Sequence, residues 1–200
     1  MGTTVYPHRE RQRVLLTGLL PDISTDPAIE TATDSVEAGR SGTIVAPVGI
    51  RPPLLAAVAT RAATPLVVLT ATGRDAETLT NALASWIPGV AMLPAWETLP
   101  HERLSPQVDT MARRIAVLRR LVHPVAGDES AGPISVLVVP IRAFLQPIIS
   151  GLADLEPVRV RTGDILDLTD VTNRLAELGY ERVDMVEGRG QMSVRGGILD

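Results

Sequence analysis

Four short runs of mostly apolar residues punctuate the chain: Gly42-Thr-Ile-Val-Ala-Pro47, Pro65-Leu-Val-Val-Leu-Thr-Ala-Thr72, Val90-Ala-Met-Leu93 and Ile134-Ser-Val-Leu-Val-Val-Pro140. They are too short for helices and continuous rather than alternating, as strands become when both faces of a sheet are covered. Segments with helical spacing lie between them. One opens at Pro52-Pro53, where proline is tolerated in a first turn, and runs through Leu54, Leu55, Val58 and Ala62. A second, Asp75 to Ile87, sets Leu79, Leu83 and Trp86/Ile87 on one stripe. The third and longest starts at Ser105 as N-cap and Pro106, with Val108, Met111, Ile115, Leu118 and Val122 as its apolar side. Arg142 to Ile149 is a short fourth helix. Strands and helices in alternation predict an α/β fold, a parallel sheet with helices on both faces.

The pattern changes after Ser150. Pro157-Val-Arg-Val-Arg161 alternates as a half-exposed strand does. Asp167 to Gly179 is an amphipathic helix with Leu168, Val171, Leu175 and Leu178 inward, Asp167 as N-cap and Gly179 as stop. Two alternating runs follow, separated by Glu187-Gly188-Arg189-Gly190, which has hairpin length and glycine content. Val194 to Asp200 reads as a strand that stops without a turn, so the expectation is a chain cut inside a domain. Three parts are expected: a partly helical extension over 1–40, with Arg11 to Leu20 a short helix and Pro21 to Arg40 mostly loop; an α/β domain over 41–149; and an incomplete α+β domain over 150–200.

Composition removes several function classes. There is no cysteine, hence no disulfide, thiolate metal site or cysteine nucleophile. All 19 basic residues are arginine, which excludes a P-loop, Schiff-base or general-base lysine. Pro47-Val-Gly-Ile-Arg-Pro-Pro53 stands where a P-loop NTPase carries its phosphate cradle, yet it holds one glycine, and two prolines lack the amides that grip phosphate. The reading is a P-loop-like scaffold without nucleotide chemistry. Thr72-Gly73-Arg74-Asp75 at the next helix start is either a weak anion site or an ordinary cap. His8, His101 and His123 share no metal-ligand spacing, and no serine sits in a nucleophile elbow. Aromatics make up 2%, leaving little to stack on bases. No secretory leader or apolar membrane span is present, so a cytoplasmic protein is expected.

Arginine placement is more informative. Arg113, Arg114, Arg119 and Arg120 fall mostly off the apolar stripe of the long helix. Arg113, Arg114 and Arg120, with Arg103, are candidates for contact with DNA phosphates or a second domain, against a plain solvated face. If Val183, Met185, Met192 and Val194 turn inward, then Arg182, Asp184, Ser193 and Arg195 share the outer surface, with Arg189 at the hairpin tip. Arginine is favoured at interfaces because its planar fork pairs carboxylates bidentately, so this surface reads as a docking face.

Two stretches carry a resemblance. Leu93-Pro-Ala-Trp-Glu-Thr-Leu-Pro-His-Glu-Arg-Leu-Ser-Pro106 and Arg174 to Asp200, ending Arg-Gly-Gly-Ile-Leu-Asp, resemble the N-terminal, UvrB-homologous region of the bacterial transcription-repair coupling factor family (Mfd). The second stretch is also similar to the UvrA-interacting domain of the excision nuclease subunit UvrB. The resemblance implies a degenerate helicase-like first domain and a second domain that recruits UvrA. By motif position Arg182 and Arg195 face UvrA, with Arg189 and Ser193 beside them; UvrB relatives carry a basic residue where this chain has Ser193. It implies no catalysis and no cofactor in this segment, while the parent is an ATP-dependent DNA translocase with ATP and Mg in its motor domain. RNA polymerase and duplex DNA are implied as partners of the rest of the parent, together with an intramolecular C-terminal domain that masks the UvrA surface. The alternatives are a fragment of a UvrB-like excision nuclease subunit, which should carry the P-loop lysine, and a module that binds the DNA backbone.

Overall fold

The computed structural model describes residues 15–98, 107–128 and 130–200. A parallel sheet of three strands lies at its centre: β1 (Leu66–Thr70), β2 (Val90–Met92) and β3 (Val136–Pro140), in the order β1-β3-β2. The most apolar run takes the middle, with Leu66 opposite Val136 on one side and Val90 opposite Val136 on the other. Alternation along β3 sends Val136 and Val138 to one face and Leu137 and Val139 to the other. The first pair packs with Ala56 and Ala59 of α3 (Arg51–Arg61), Ala76 and Leu83 of α4 (Gly73–Leu83), and Leu20 and Ile87. The second packs with Ala91, Leu93 and Ile134, with Val117 of α5 (Val108–Val122) and with Ala143 of α6 (Ile141–Phe144). The α/β architecture with a parallel sheet and helices on both faces is therefore present.

Backbones approach closely where β2 begins. Gly89 has φ 74°, and a Cβ there would lie 2.8 Å from Ser135 Oγ and 2.9 Å from the Pro133 carbonyl. Its own carbonyl accepts from Ser135 N at 2.8 Å, which fixes β2 against the entry to β3. Thr72 is an ordinary cap for α4: its hydroxyl accepts from Asp75 N at 3.1 Å and donates to the Asp75 carboxylate at 2.7 Å.

Five expectations about the elements are corrected, the last two after β3: the helix expected over Arg142–Ile149 ends at Phe144, and Pro157–Arg161, expected as a strand, is irregular chain. Gly42–Pro47 is not a strand; it runs as irregular chain with Val45 96% exposed, followed by a 3₁₀ turn at Val48–Ile50 that leads into α3. Its six residues have no neighbouring strand to pair with among those described, and a short apolar run has no other reason to extend. Residues 21–40, expected as loop, form most of α1 (Leu20–Ser24) and all of α2 (Pro27–Glu37). Asp26 caps α2 by accepting from Ala28 N at 2.9 Å, while the Thr31, Thr33 and Ser35 hydroxyls donate back to carbonyls four residues earlier, which hides a helix behind loop-like composition. Ile29 and Ala32 of α2 bury against Leu54, Ala57 and Val58 of α3, and Arg61 grips Asp34 at 3.0 Å and Glu37 at 2.7 Å. Third, α5 is rotated from its expected stripe. Thr110, Arg114, Val117 and Leu118 are buried, whereas Val108, Met111 and Val122 are exposed. The expected cap at Ser105–Pro106 and the site candidate Arg103 lie outside the described residues; the residue preceding the helix is Gln107.

Beyond α6 the chain is thinly packed. A 3₁₀ turn at Leu152–Asp154 lies against α5. Then α7 (Leu168–Glu177) begins at Asp167, whose carboxylate accepts from Thr169 N at 2.7 Å and Asp170 N at 3.4 Å. Leu168, Val171, Leu175 and Leu178 are half-buried, and Gly179 ends the helix with φ 87°. Four two-residue strands follow: β4 (Glu181–Arg182), β5 (Gln191–Met192), β6 (Val194–Arg195) and β7 (Ile198–Leu199). Among the described residues no helix is long and apolar enough to cross a membrane.

Candidate functional site

The two alternating runs do not form an antiparallel hairpin. β4 and β5 pair parallel, Glu181 opposite Gln191 and Arg182 opposite Met192, across an eight-residue loop over 183–190. The loop is too long for a tight turn and is braced from inside, since Gln191 Oε1 accepts from Glu187 N at 2.8 Å and Gly188 N at 3.1 Å. The tight turn lies further on. Gly196-Gly197, with Gly196 at φ 61°, reverses the chain so that Val194 pairs with Leu199 and Arg195 with Ile198. The expected unpaired edge at Val194–Asp200 is thus a closed two-residue hairpin, and the Gly-Gly pair was its sequence signal.

Ser193 sits where the chain leaves one small sheet for the other, which breaks the expected alternation. Both Met192 and Ser193 are buried, Ser193 only 1% exposed, while Met185, expected inside, is 66% exposed. The serine amide and carbonyl bond Asp200 at 3.1 and 2.9 Å, and its hydroxyl donates to the Asp184 carbonyl at 3.0 Å. Its role is to lock the loop after β4 to the β6–β7 hairpin.

On this lock rests a shallow groove of about 440 Å³ lined by Arg182, Val183, Asp184, Ser193, Val194 and Arg195. Four residues expected on one surface are therefore brought together, with Ser193 as floor rather than rim. Arg182 is exposed and makes no salt bridge among the described residues. The Arg195 side chain is 63% exposed, and its guanidinium is held at 2.8 Å by Asp200, a partner that sequence reasoning missed. Arg189, expected at a hairpin tip, instead lies one residue before the end of the loop and turns away from the groove, its Nε 3.1 Å from Asp109 Oδ1 on α5.

The arginines of α5 are occupied within the fold. Arg114, expected to face outward, is 1% exposed. Its guanidinium carbon lies 4.4 Å from the centre of the Trp96 ring, its Nη1 donates to the Pro94 carbonyl at 2.6 Å, and its Nε has no partner among the described residues. Burial lowers its pKa, and the aromatic face replaces part of the lost hydration. This capture of Arg114 by the loop after β2 rotates the buried side of α5 onto residues 110, 114, 117 and 118. Nearby, Thr110 donates to Glu97. Burial pushes the Glu97 carboxyl up, but that hydroxyl and neighbouring backbone amides outweigh it and hold the group below its ordinary value. Arg120 donates to the Gly132 carbonyl at 2.8 Å, Arg119 to the Leu155 carbonyl at 3.0 Å, and Arg113 pairs with Asp109 at 2.8 Å. A continuous basic face on α5 is not formed.

The groove lies wholly within residues 158–200, which match the family described as UvrB interaction domain. The transcription-repair-coupling factor of Mycobacterium tuberculosis is 49% identical over 160 residues, 79% of this chain and 13% of that protein. The chain is homologous to the UvrB-homologous region of the transcription-repair-coupling factors. The Escherichia coli member is 28% identical over 149 residues, 74% of this chain and 12% of its own. UvrABC system protein B of Vibrio vulnificus is 44% identical over 57 residues, 26% of this chain and 8% of that protein. The chain spans about 13% of the length of the first of these transcription-repair-coupling factors. Arg182, Arg189, Ser193 and Arg195 fall inside the matched segment; Arg103, Arg113, Arg114 and Arg120 fall before it.

Proposed function

We propose that this chain is a non-catalytic docking module of a transcription-repair-coupling factor, and that its groove receives UvrA and so brings excision repair to stalled RNA polymerase. The observation that carries the proposal is the pair Arg182 and Arg195: two exposed guanidiniums on one groove, braced from beneath by buried Ser193, within the segment similar to the UvrB interaction domain. Arg195 is held in place by Asp200, and Arg182 is unengaged among the described residues. Exposed guanidiniums of this kind suit carboxylates on a partner, and such pairs steer association more than they add raw affinity. UvrA would therefore present acidic side chains to the groove.

The rest of the reading follows from it. The parent is an ATP-driven duplex-DNA translocase acting in the cytoplasm; ATP and Mg bind its motor domain, and this segment takes no cofactor. RNA polymerase and DNA are met by other parts of the parent, and its C-terminal domain covers the groove at rest. Residues 41–149 are a helicase-like domain whose phosphate grip has degenerated, in keeping with the lysine-free, proline-bearing stretch 47–53, with Leu20, Ile29 and Ala32 of the preceding segment packed onto it, and 150–200 are the docking domain. A transcription-repair-coupling parent is preferred to UvrB because the match to the former extends over 160 residues and to the latter over 57. A DNA-backbone role for α5 has less support, given the buried Arg114 and the engaged Arg113 and Arg120.

Replacing Arg182 and Arg195 together by Glu tests this. UvrA affinity, measured by titration calorimetry, is expected to fall by about 100-fold or more, as for charged contacts at the centre of an interface, with an unchanged melting temperature. Wild-type affinity in that variant would overturn the assigned face.

A further inference from the structure

Asp109 stands outside the groove, on the first turn of α5, yet both of its oxygens are engaged. Oδ2 takes Arg113 Nε at 2.8 Å, and Oδ1 takes Arg189 Nε at 3.1 Å from the loop between β4 and β5. The same loop touches α5 once more: Gly190, at φ 82°, sits so close that a Cβ there would lie 3.1 Å from Val108 Cγ1. One end of this loop supplies Val183 and Asp184 to the groove, and the other end feeds directly into β5 and Ser193. The loop that forms one wall of the groove is therefore fastened, just before β5, to a helix that packs on the sheet.

We infer that Arg189 is a positioning residue rather than a docking contact, and that the Asp109–Arg189 pair, seated on the Val108–Gly190 contact, sets the geometry of the groove toward its partner. The inference rests on the docking reading above. The side chains are 43% and 69% exposed, and an ion pair so wet contributes little to global stability. Its consequence is local: alongside the Gln191 brace on Glu187 and Gly188, it holds the β5 end of the loop against α5. The Asp109–Arg113 pair at i,i+4 pre-sets the carboxylate, because a neighbour one turn on restricts its rotamer. If Arg189 were instead a contact, removing Asp109 would release it toward the partner and leave binding equal or tighter.

The test uses Asp109→Asn, Arg189→Met, the double variant and Arg189→Lys in the full chain, read in two ways. In the protein alone, amide exchange of residues 185–190 is expected to rise in Asp109→Asn and Arg189→Met alike, with global melting unchanged. Titration with UvrA should show both single variants weaker by about threefold to tenfold, the double variant no weaker than either, and Arg189→Lys restoring most of the loss, the pattern of two residues acting through one interaction. Tighter or unchanged binding in Asp109→Asn together with weaker binding in Arg189→Met would overturn the inference and make Arg189 a contact. Unchanged exchange would overturn the clamp itself. A failure of the docking reading is separable, because it would show as undiminished UvrA binding in Arg182→Glu/Arg195→Glu while the exchange measurement still reported on the clamp.

Discussion

The sheet region and the segment after α6 differ in what holds them. Most of the buried hydrophobic residues from Leu20 to Ala143 line the faces of the sheet or the α2–α3 contact, whereas in the later segment the buried hydrophobic side chain is Met192. Its strands are two residues long, and α7 buries no residue completely. What it has instead are fastenings to α5: Arg189 on Asp109 and Gly190 on Val108 near the start of the helix, and Arg119 on the Leu155 carbonyl with His123 2.7 Å from Asp154 near its end. One region supplies a core and the other a surface, with α5 as the spine between them. Among the described residues this segment buries little apolar area, so its order leans on these contacts with α5.

Four sites of substitution would sharpen or break this contrast. Gly89→Ala should cost the most, about 4 kcal/mol, because it combines a left-handed φ with contacts below 3 Å to Ser135 and Pro133. Chemical denaturation should register it as a loss in the main transition, and a stability near wild type would mean that the entry to β3 is not tightly held. Arg114→Ala should cost about 3 kcal/mol, from the emptied site and the stranded Pro94 carbonyl. Arg114→Met, which refills the space without a buried charge, should recover much of that; equal losses in the two variants would show that the charge itself is required. Met192→Ala should cost about 2 kcal/mol locally, raising amide exchange across residues 181–200 while β1 to β3 keep their protection. If the sheet loosened as well, the two regions would be one cooperative unit and the contrast would fall.

The smallest effect is expected at the cap of α7. Hydrogen bonds from the Thr169 amide and hydroxyl and the Asp170 amide hold the Asp167 carboxyl below its ordinary value. Its folded-state pKa is thus depressed, so its contribution is present above the unfolded value of about 3.9 and is lost as the pH falls through the lower folded one. Protection of the first turn of α7 should drop on acidification in the wild type. In Asp167→Asn that acid step should be absent; an identical step in both proteins would assign it to another group.

Much of the fold follows directly from local chemistry. The β-run of Ile134–Pro140 is central because it is apolar at every position that the sheet covers, and α4 and α7 begin at the side chains able to cap them, Thr72 and Asp167. Local chemistry misleads where residues have two uses. Thr31, Thr33 and Ser35 look like loop but bond back along α2, while Ile44 and Val45 look like strand but find no partner strand among the described residues. The periodicity of α5 is real, yet Trp96 and Pro94 claim Arg114 and turn the helix about its axis.

For the candidate site, the chain itself named the arginines and, through its W-E-T-L-P-H-E-R and R-G-G-I-L-D stretches, the family to which they are similar. Residue type and short-range order settle such things, because capping, alternation and glycine turns act over a few positions. Which arginine points where was settled only by long-range contacts. Arg189 meets Asp109 across 80 residues of chain, Ser193 is buried because two small sheets change over at its position, and Arg114 is inside because a tryptophan from another segment lies over it. A guanidinium on a flexible stem goes to whichever acceptor the folded chain brings near, and that neighbour is chosen by tertiary packing.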